Sequence, residues 1–193
     1  MLEEYWNQQH IDKNVKMLTG SSLHSYCSFF NLIPEALEGQ TILEIGVGLG
    51  KATRELAAIA KDLRVLDISH IAIDNVSDVI EMGYTDALDL PFGLFDIAIS
   101  HLVAQHMSDS DLIIQMESII ESLKYSGKFY MQFADALGEV KGTEEELQQG
   151  GGVLRSPEKM KQLVSYANAN MKLIATRKIN NNVTWYGAEM RKK

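Results

Sequence analysis

The stretch Thr41-Ile42-Leu43-Glu44-Ile45-Gly46-Val47-Gly48-Leu49-Gly50 limits what this chain can become more than any other. A short apolar strand runs into glycines at alternate positions, and a helix-like segment follows from Lys51. Glycine at the C-terminal end of a strand lets the backbone pass close to a nucleotide-like ligand. A dinucleotide loop wants glycine at its first, third and sixth positions. Counted from Gly46, the sixth position here is Lys51, and the extra glycine falls one place earlier, at Gly50. Glu44 stands two places before the first glycine. Its carboxylate would repel a pyrophosphate and attract an ammonium group.

From Gln40 onward strand and helix patterns alternate. Strands are predicted at Thr41–Ile45, Arg64–Ile68, near Tyr84, at Leu94–Ser100 and at Lys128–Phe133. Between them lie apolar stripes at helical spacing: Ala52, Leu56 and Ile59; Ala72, Val76 and Val79, ended by Gly83; and Leu112, Met116, Ile119 and Leu123. Gly127 is read as the lead into the fifth strand. An irregular stretch, Ala134 to Arg155, precedes a helix that opens at Ser156-Pro157, because proline suits the first helical position. Two strands, Met171–Ile179 and Val183–Met190, finish the chain, and Asn180-Asn181-Asn182 between them tolerates left-handed turn geometry. Alternation implies a parallel sheet covered by helices on both faces, with one antiparallel strand from the terminal hairpin. Before Gln40, Glu3 to Leu32 reads as two helical pieces separated near Gly20-Ser21, the first carrying Ile11, Val15 and Leu18.

A chain of 193 residues suits one α/β domain. The formal net charge of −8 argues against a broad nucleic-acid surface, which needs a basic face. The single cysteine, Cys27, excludes an intramolecular disulfide and suits a cytoplasmic setting. No apolar run approaches a membrane span, and the acidic N-terminus does not resemble a signal peptide. No nucleic-acid or membrane partner is expected.

Glu44-Ile45-Gly46-Val47-Gly48-Leu49-Gly50 resembles the first motif of the class I S-adenosylmethionine-dependent methyltransferases: an acidic residue, any residue, then Gly-x-Gly-x-Gly. The resemblance continues through Asp67, Asp86-Ala87, Phe95-Asp96 and the segment His101 to Met107. It implies a three-layer Rossmann-like sandwich whose mostly parallel seven-stranded sheet has a reversed last strand. It implies one methyltransferase domain over 1–193, with a Rossmann-like core at 40–193 and a helical N-terminal extension at 1–38 that folds over the cofactor as a lid. S-adenosylmethionine would be the methyl donor and S-adenosylhomocysteine the product.

The roles implied for single residues follow the same resemblance. Gly46, Gly48 and Gly50 would let the backbone meet the methionine and ribose portion, with Glu44 near the ammonium end. Asp67 would accept hydrogen bonds from the ribose hydroxyls, with Ile68 against the adenine face. Asp86, preferred over its neighbour Asp89 in the Asp-Leu-Pro-Phe loop, would hold the adenine amine, and the Ala87 amide a ring nitrogen. Ser100, His101 and Leu102 are candidate cofactor contacts. His101 and His106 are candidate bases facing a small-molecule methyl acceptor, since imidazole titrates near neutrality. Asp96 is given a structural role. Tyr5, Trp6 and His10 are placed either in the lid or as ordinary aromatic core anchors, Ala134–Arg155 in a substrate-gating or plain solvated loop, and Arg155 either on an acidic substrate or at the surface.

No Asn-Pro-Pro-Tyr or Asp-Pro-Pro-Tyr segment follows the fourth strand, where enzymes that methylate nucleic-acid amines carry it. No acidic metal-ligand set is assigned. The reading is therefore a methyltransferase for a small or medium-sized metabolite acting by in-line displacement, which needs alignment rather than a protein nucleophile. The alternatives are a non-catalytic S-adenosylmethionine-binding regulatory module and a nicotinamide-dependent dehydrogenase, the latter opposed by Lys51. The sequence does not name the acceptor or the oligomeric state.

Overall fold

The computed structural model describes residues 2–12, 21–136 and 152–193. In chain order the elements are α1 (Leu2–Ile11), α2 (Leu23–Phe30), β1 (Thr41–Ile45), α3 (Lys51–Ala57), β2 (Asp62–Leu66), α4 (His70–Asp74), β3 (Met82–Tyr84), β4 (Phe95–Ser100), α5 (Asp109–Ser122), β5 (Leu123–Ala136), α6 (Pro157–Tyr166), β6 (Ala169–Lys178) and β7 (Val183–Lys192). Short 3-10 turns sit at Pro34–Ala36, Ala87–Asp89 and Ala104–His106. The strands form one seven-stranded sheet in the order β3-β2-β1-β4-β5-β7-β6. β7 runs antiparallel to both β5 and β6, and the other pairings are parallel. The Rossmann-like sheet with its reversed last strand is thus present.

Strand parity sorts the core onto the two faces. Leu43, Ile45, Phe129, Met131 and Phe133 point one way and pack with Leu112, Met116 and Ile119 of α5 and Met160, Leu163 and Val164 of α6. Ile42, Ile97, Ile99 and Tyr130 point the other way, onto Tyr26, Phe29 and Phe30 of α2 and Ala52 and Leu56 of α3. Val65 adds Ala72 and Val76 from the α4 region to that second face. All five residues of β1 are buried, as a strand covered on both sides requires. Each fully buried large apolar side chain contributes about 1.5–3 kcal/mol. Asp96 anchors the start of β4, accepting from the Thr41 amide (3.0 Å) and pairing with Lys124 (2.7 Å).

Several boundaries differ from the sequence reading. β2 ends at Leu66, so Asp67 and Ile68 lie just beyond the strand. α4 is only five residues long, and Gly83 lies inside β3 rather than ending a helix. A Cβ on Gly83 would collide with the Ile73 side chain, which explains why glycine stands there. β5 begins at Leu123, directly after α5, because Leu123 pairs with Phe95 across an irregular register. Gly127 is therefore within the strand, and a Cβ there would come 2.9 Å from the Phe95 carbonyl oxygen. The β6–β7 turn is closed by the Asn180 side chain, whose Oδ1 accepts from the Asn182 and Val183 amides (2.8 and 2.9 Å). None of the three asparagines adopts a positive φ. Ser22 caps α2, its side chain accepting from the Ser25 amide. Val15, Leu18, Gly20 and most of the Ala134–Arg155 stretch lie outside the described residues. Among the described residues no helix is long and apolar enough to cross a membrane.

Candidate active site

Sheet order lines the predicted residues up. The chain leaves β3, β2, β1 and β4 at the same edge, so Asp86, Asp67, Gly46 and His101 follow four neighbouring strands. With strands about 4.8 Å apart, this row spans about 14 Å. A cavity of about 570 Å³ opens along it. Gly46, Gly48, Asp67, Ile68, Asp86, Ala87, His101, Leu102 and His106 all line it. Of the remaining predicted residues, Glu44, Gly50 and Ser100 are not on its wall.

The glycine turn is shaped by contacts that exclude side chains. Gly46, Gly48 and Gly50 have φ of 82°, 55° and 74°, in the left-handed region that favours glycine. A Cβ on Gly46 would strike the Val103 side chain, and one on Gly50 would come 2.6 Å from Val76. Gly50 thus serves the packing of α3, and Gly46 the approach of the post-β4 chain to the cavity.

Asp67 is tied to this turn. Its Oδ2 accepts from the Val47 amide (2.8 Å) and its Oδ1 from the Ser69 amide (2.9 Å). Burial pushes its pKa up to about 6, against the two amide hydrogen bonds that favour the anion. Ile68 beside it is 39% exposed, an apolar surface on the cavity. Asp86 caps the Ala87–Asp89 turn, its Oδ1 accepting from the Leu88 amide (2.9 Å).

Glu44 is fully buried beneath the turn, where the Tyr26 hydroxyl donates to its Oε1 (2.8 Å). Burial first of all lifts its pKa to about 7; the Thr53 and Tyr26 hydroxyls oppose this, and the Asp67 charge adds to it. Glu44 Oε2 and Thr53 Oγ1 are both buried without a hydrogen bond of full geometry. This carboxyl group ties α2 to β1.

His101 continues the β4 parity toward α2 and is only 8% exposed. Rings of Tyr26, Phe29, Phe30 and Trp185 surround it at 5.5–6.2 Å, and its Nδ1 is 3.1 Å from Ser21 Oγ. Burial, then the Arg177 charge, lowers its pKa to about 4. At neutral pH this imidazole is uncharged and a weak base. Leu102 follows with φ 63°, a costly conformation for a bulky residue. Two glutamines hold it there: its amide donates to Gln132 Oε1 (2.8 Å), and its carbonyl accepts from Gln105 Nε2 (2.8 Å).

The N-terminal helix forms another wall. Leu2, Trp6 and His10, each four residues apart on one face of α1, line the cavity. Trp6 meets His106 edge to face at 5.1 Å, while Tyr5 packs on Trp6 and does not reach the cavity. Asn7 docks α1 beside α4, accepting from Ser69 Oγ (2.7 Å) and lying 3.2 Å from His70 Nδ1.

The sequence reading missed Gln105, Met107 and Ile114, which also line the cavity. No glycine or charge marks them; only their position after β4, or facing the cavity from α5, could have found them. Arg155 is not on the cavity surface. It is 3% exposed and donates to the Asp109 carboxylate (2.8 Å) and to the Ala104 and Met107 carbonyls (2.8 and 2.6 Å). Neither the acidic-substrate nor the surface-cap reading of Arg155 fits that burial. Among the described residues no group of three or more His, Cys, Asp or Glu is placed to hold a metal ion.

Comparison with known proteins agrees with this architecture. No curated protein matches the sequence. Three solved structures share the fold at low identity. DhpI in complex with S-adenosylmethionine and HEP is 18% identical, with 97% of this chain and 94% of that one covered (TM-score 0.66). The 1,6-didemethyltoxoflavin-N1-methyltransferase of Burkholderia thailandensis, with 1,6-didemethyltoxoflavin and S-adenosylhomocysteine bound, is 12% identical over 99% and 88% (0.71). The magnesium protoporphyrin IX methyltransferase of Synechocystis PCC 6803, with S-adenosylhomocysteine bound, is 14% identical over 99% and 98% (0.67). Residues 43–131 match the model of a methyltransferase domain, and the seven-stranded sheet with its reversed strand is the fold these structures share.

Proposed function

We propose that this protein is a single-domain, S-adenosylmethionine-dependent methyltransferase acting on a small or medium-sized metabolite. The carrying observation is the row of Gly46, Asp67 and Asp86 along one cavity at the tips of adjacent strands. The residues present fit the cofactor. Asp67 has both oxygens held by backbone amides and stands at the cavity wall, where ribose hydroxyls can donate to it. Ile68 offers a flat apolar contact for adenine, and Asp86 and the Ala87 amide offer an acceptor and a donor for its edge. Gly46 and Gly48 leave room for the methionine chain. Ser100 is buried at the end of β4 and supports His101 and Leu102 from behind.

Bound there, the sulfonium would supply an electrophilic methyl carbon in line with the acceptor's lone pair. The protein's part is alignment and exclusion of water. Trp6, His10, Gln105 and His106 surround the acceptor end, and α1 serves as the lid. His106 is the candidate proton acceptor; His101, neutral in its aromatic cage, orients the wall instead. Glu44 acts through Tyr26 and the turn above it, not by touching the ligand's ammonium group.

Isothermal titration with S-adenosylmethionine, S-adenosylhomocysteine and NAD tests the reading. Heat with the first two only, lost in Asp67→Ala, supports it. Absence of heat with both in folded protein rejects it. Binding without methyl release on a broad metabolite panel would favour a regulatory module instead.

A further inference from the structure

We propose that Arg155 is the positioning residue for the acceptor end of the cavity, fastening the chain that precedes α6 to the turn that follows β4. This rests on the methyltransferase reading of the cavity. The turn Ala104–His106 carries Gln105 and His106, and it has little regular structure of its own. Arg155 supplies the missing restraint. Its Nη1 takes the Ala104 carbonyl, its Nη2 the Met107 carbonyl and its Nε the Asp109 carboxylate at the start of α5. One planar guanidinium thereby brackets the turn at both ends and ties it to the first residue of a helix. Two backbone bonds complete the strap: the Val153 amide donates to the Gln105 carbonyl (2.6 Å), and the Arg155 amide to the Ala134 carbonyl (2.7 Å).

What the strap presents is specific. Gln105 Nε2 is used on Leu102, and its Oε1 is buried without a hydrogen-bond partner on a residue that lines the cavity. A buried acceptor left open in this way is costly unless a ligand N–H or O–H satisfies it. His106, next in sequence, packs edge to face on Trp6 of α1 at the cavity wall. Arg155 therefore sets the position of the group that would read a donor on the ligand and of the histidine facing the lid helix, while touching no ligand itself.

Trp6 makes the inference testable without knowing the acceptor. The chain has two tryptophans, so in a Trp185→Phe protein all tryptophan emission comes from Trp6. Arg155→Gln, Arg155→Lys and Asp109→Asn would each be made in that background. Acrylamide quenching of Trp6 and S-adenosylhomocysteine affinity would be measured beside the melting temperature. Arg155→Gln should make Trp6 about twofold more accessible and weaken S-adenosylhomocysteine about tenfold. Arg155→Lys, which cannot span three acceptors, should fall between. Asp109→Asn keeps both carbonyl bonds and should lower the melting temperature with Trp6 unchanged. Should Arg155→Gln not fold, the lysine variant carries the comparison. Reference-like Trp6 quenching in the folded Arg155 variants, or the same rise in Asp109→Asn, would make Arg155 a general stabiliser and overturn the proposal. If the parent protein bound no S-adenosylhomocysteine, the functional reading would fail, yet the quenching comparison, which needs no ligand, would still decide the role of Arg155.

Discussion

The cavity has one wall made of strand tips and another made of borrowed pieces. At the strand tips, Gly46, Asp67 and Asp86 are held by bonds within or between adjacent strand ends: Gly46 to the Leu66 carbonyl, Asp67 to the amides of Val47 and Ser69, Asp86 to that of Leu88. On the opposing wall, Trp6 comes from α1, His106 from the turn after β4, and the arginine fixing that turn lies 48 residues beyond Met107. The first wall is determined by local backbone geometry on a rigid sheet. The second exists only once distant segments have docked. A binding end common to many ligands suits the first construction, and an end that must differ from one acceptor to another suits the second.

The largest expected effect would fall on the first wall. Asp67→Ala should weaken S-adenosylmethionine about a hundredfold, since it removes charge-assisted bonds and leaves two amides without their acceptor; calorimetry reads this directly. A loss below threefold would mean that the strand-tip wall is not the ribose site. Gly46→Ala should cost about 2–3 kcal/mol in urea denaturation, because it adds a left-handed penalty to a collision with Val103.

Glu44→Gln sharpens the comparison through pH. The folded pKa of Glu44, about 7, lies above its ordinary 4.5, so the folded state holds the proton more tightly. Its contribution to stability is present below about 4.5 and is lost as pH rises through about 7. The variant should remove a decline on the order of 3 kcal/mol across that window in denaturation profiles. Asp67 has the same sign over a lower window, from 3.8 to about 6. On the second wall, Trp6→Ala should weaken S-adenosylhomocysteine about fivefold to tenfold, through lost ring contact and admitted water. The smallest effect concerns His101: its ring signals in NMR should stay fixed between about pH 5.5 and 8, since its pKa lies near 4. Titration near neutrality would restore it as a candidate base.

The strand-tip wall was legible in the sequence because strand, glycine turn and carboxylate are neighbours along the chain. The mostly parallel sheet and its one antiparallel strand followed from the alternation and the final hairpin; the strand order did not. Other features were set by partners far away. The early start of β5 depends on Leu123 pairing with Phe95. The placement of Gly83 depends on the Ile73 side chain, and the task of Arg155 on two carbonyls that no pattern announces. His101, read from the sequence as a cofactor contact and candidate base, lines the cavity, but its aromatic surroundings, which decide its charge, come from α2 and β7.

Ser69, fully buried, bonds to a piece of each wall. Its amide steadies the Asp67 carboxylate, and its hydroxyl steadies Asn7 of α1. A tug on either partner is felt by the other through a single small side chain. On the proposed reading, occupation of the Asp67 site and the seating of α1 are therefore linked through one residue.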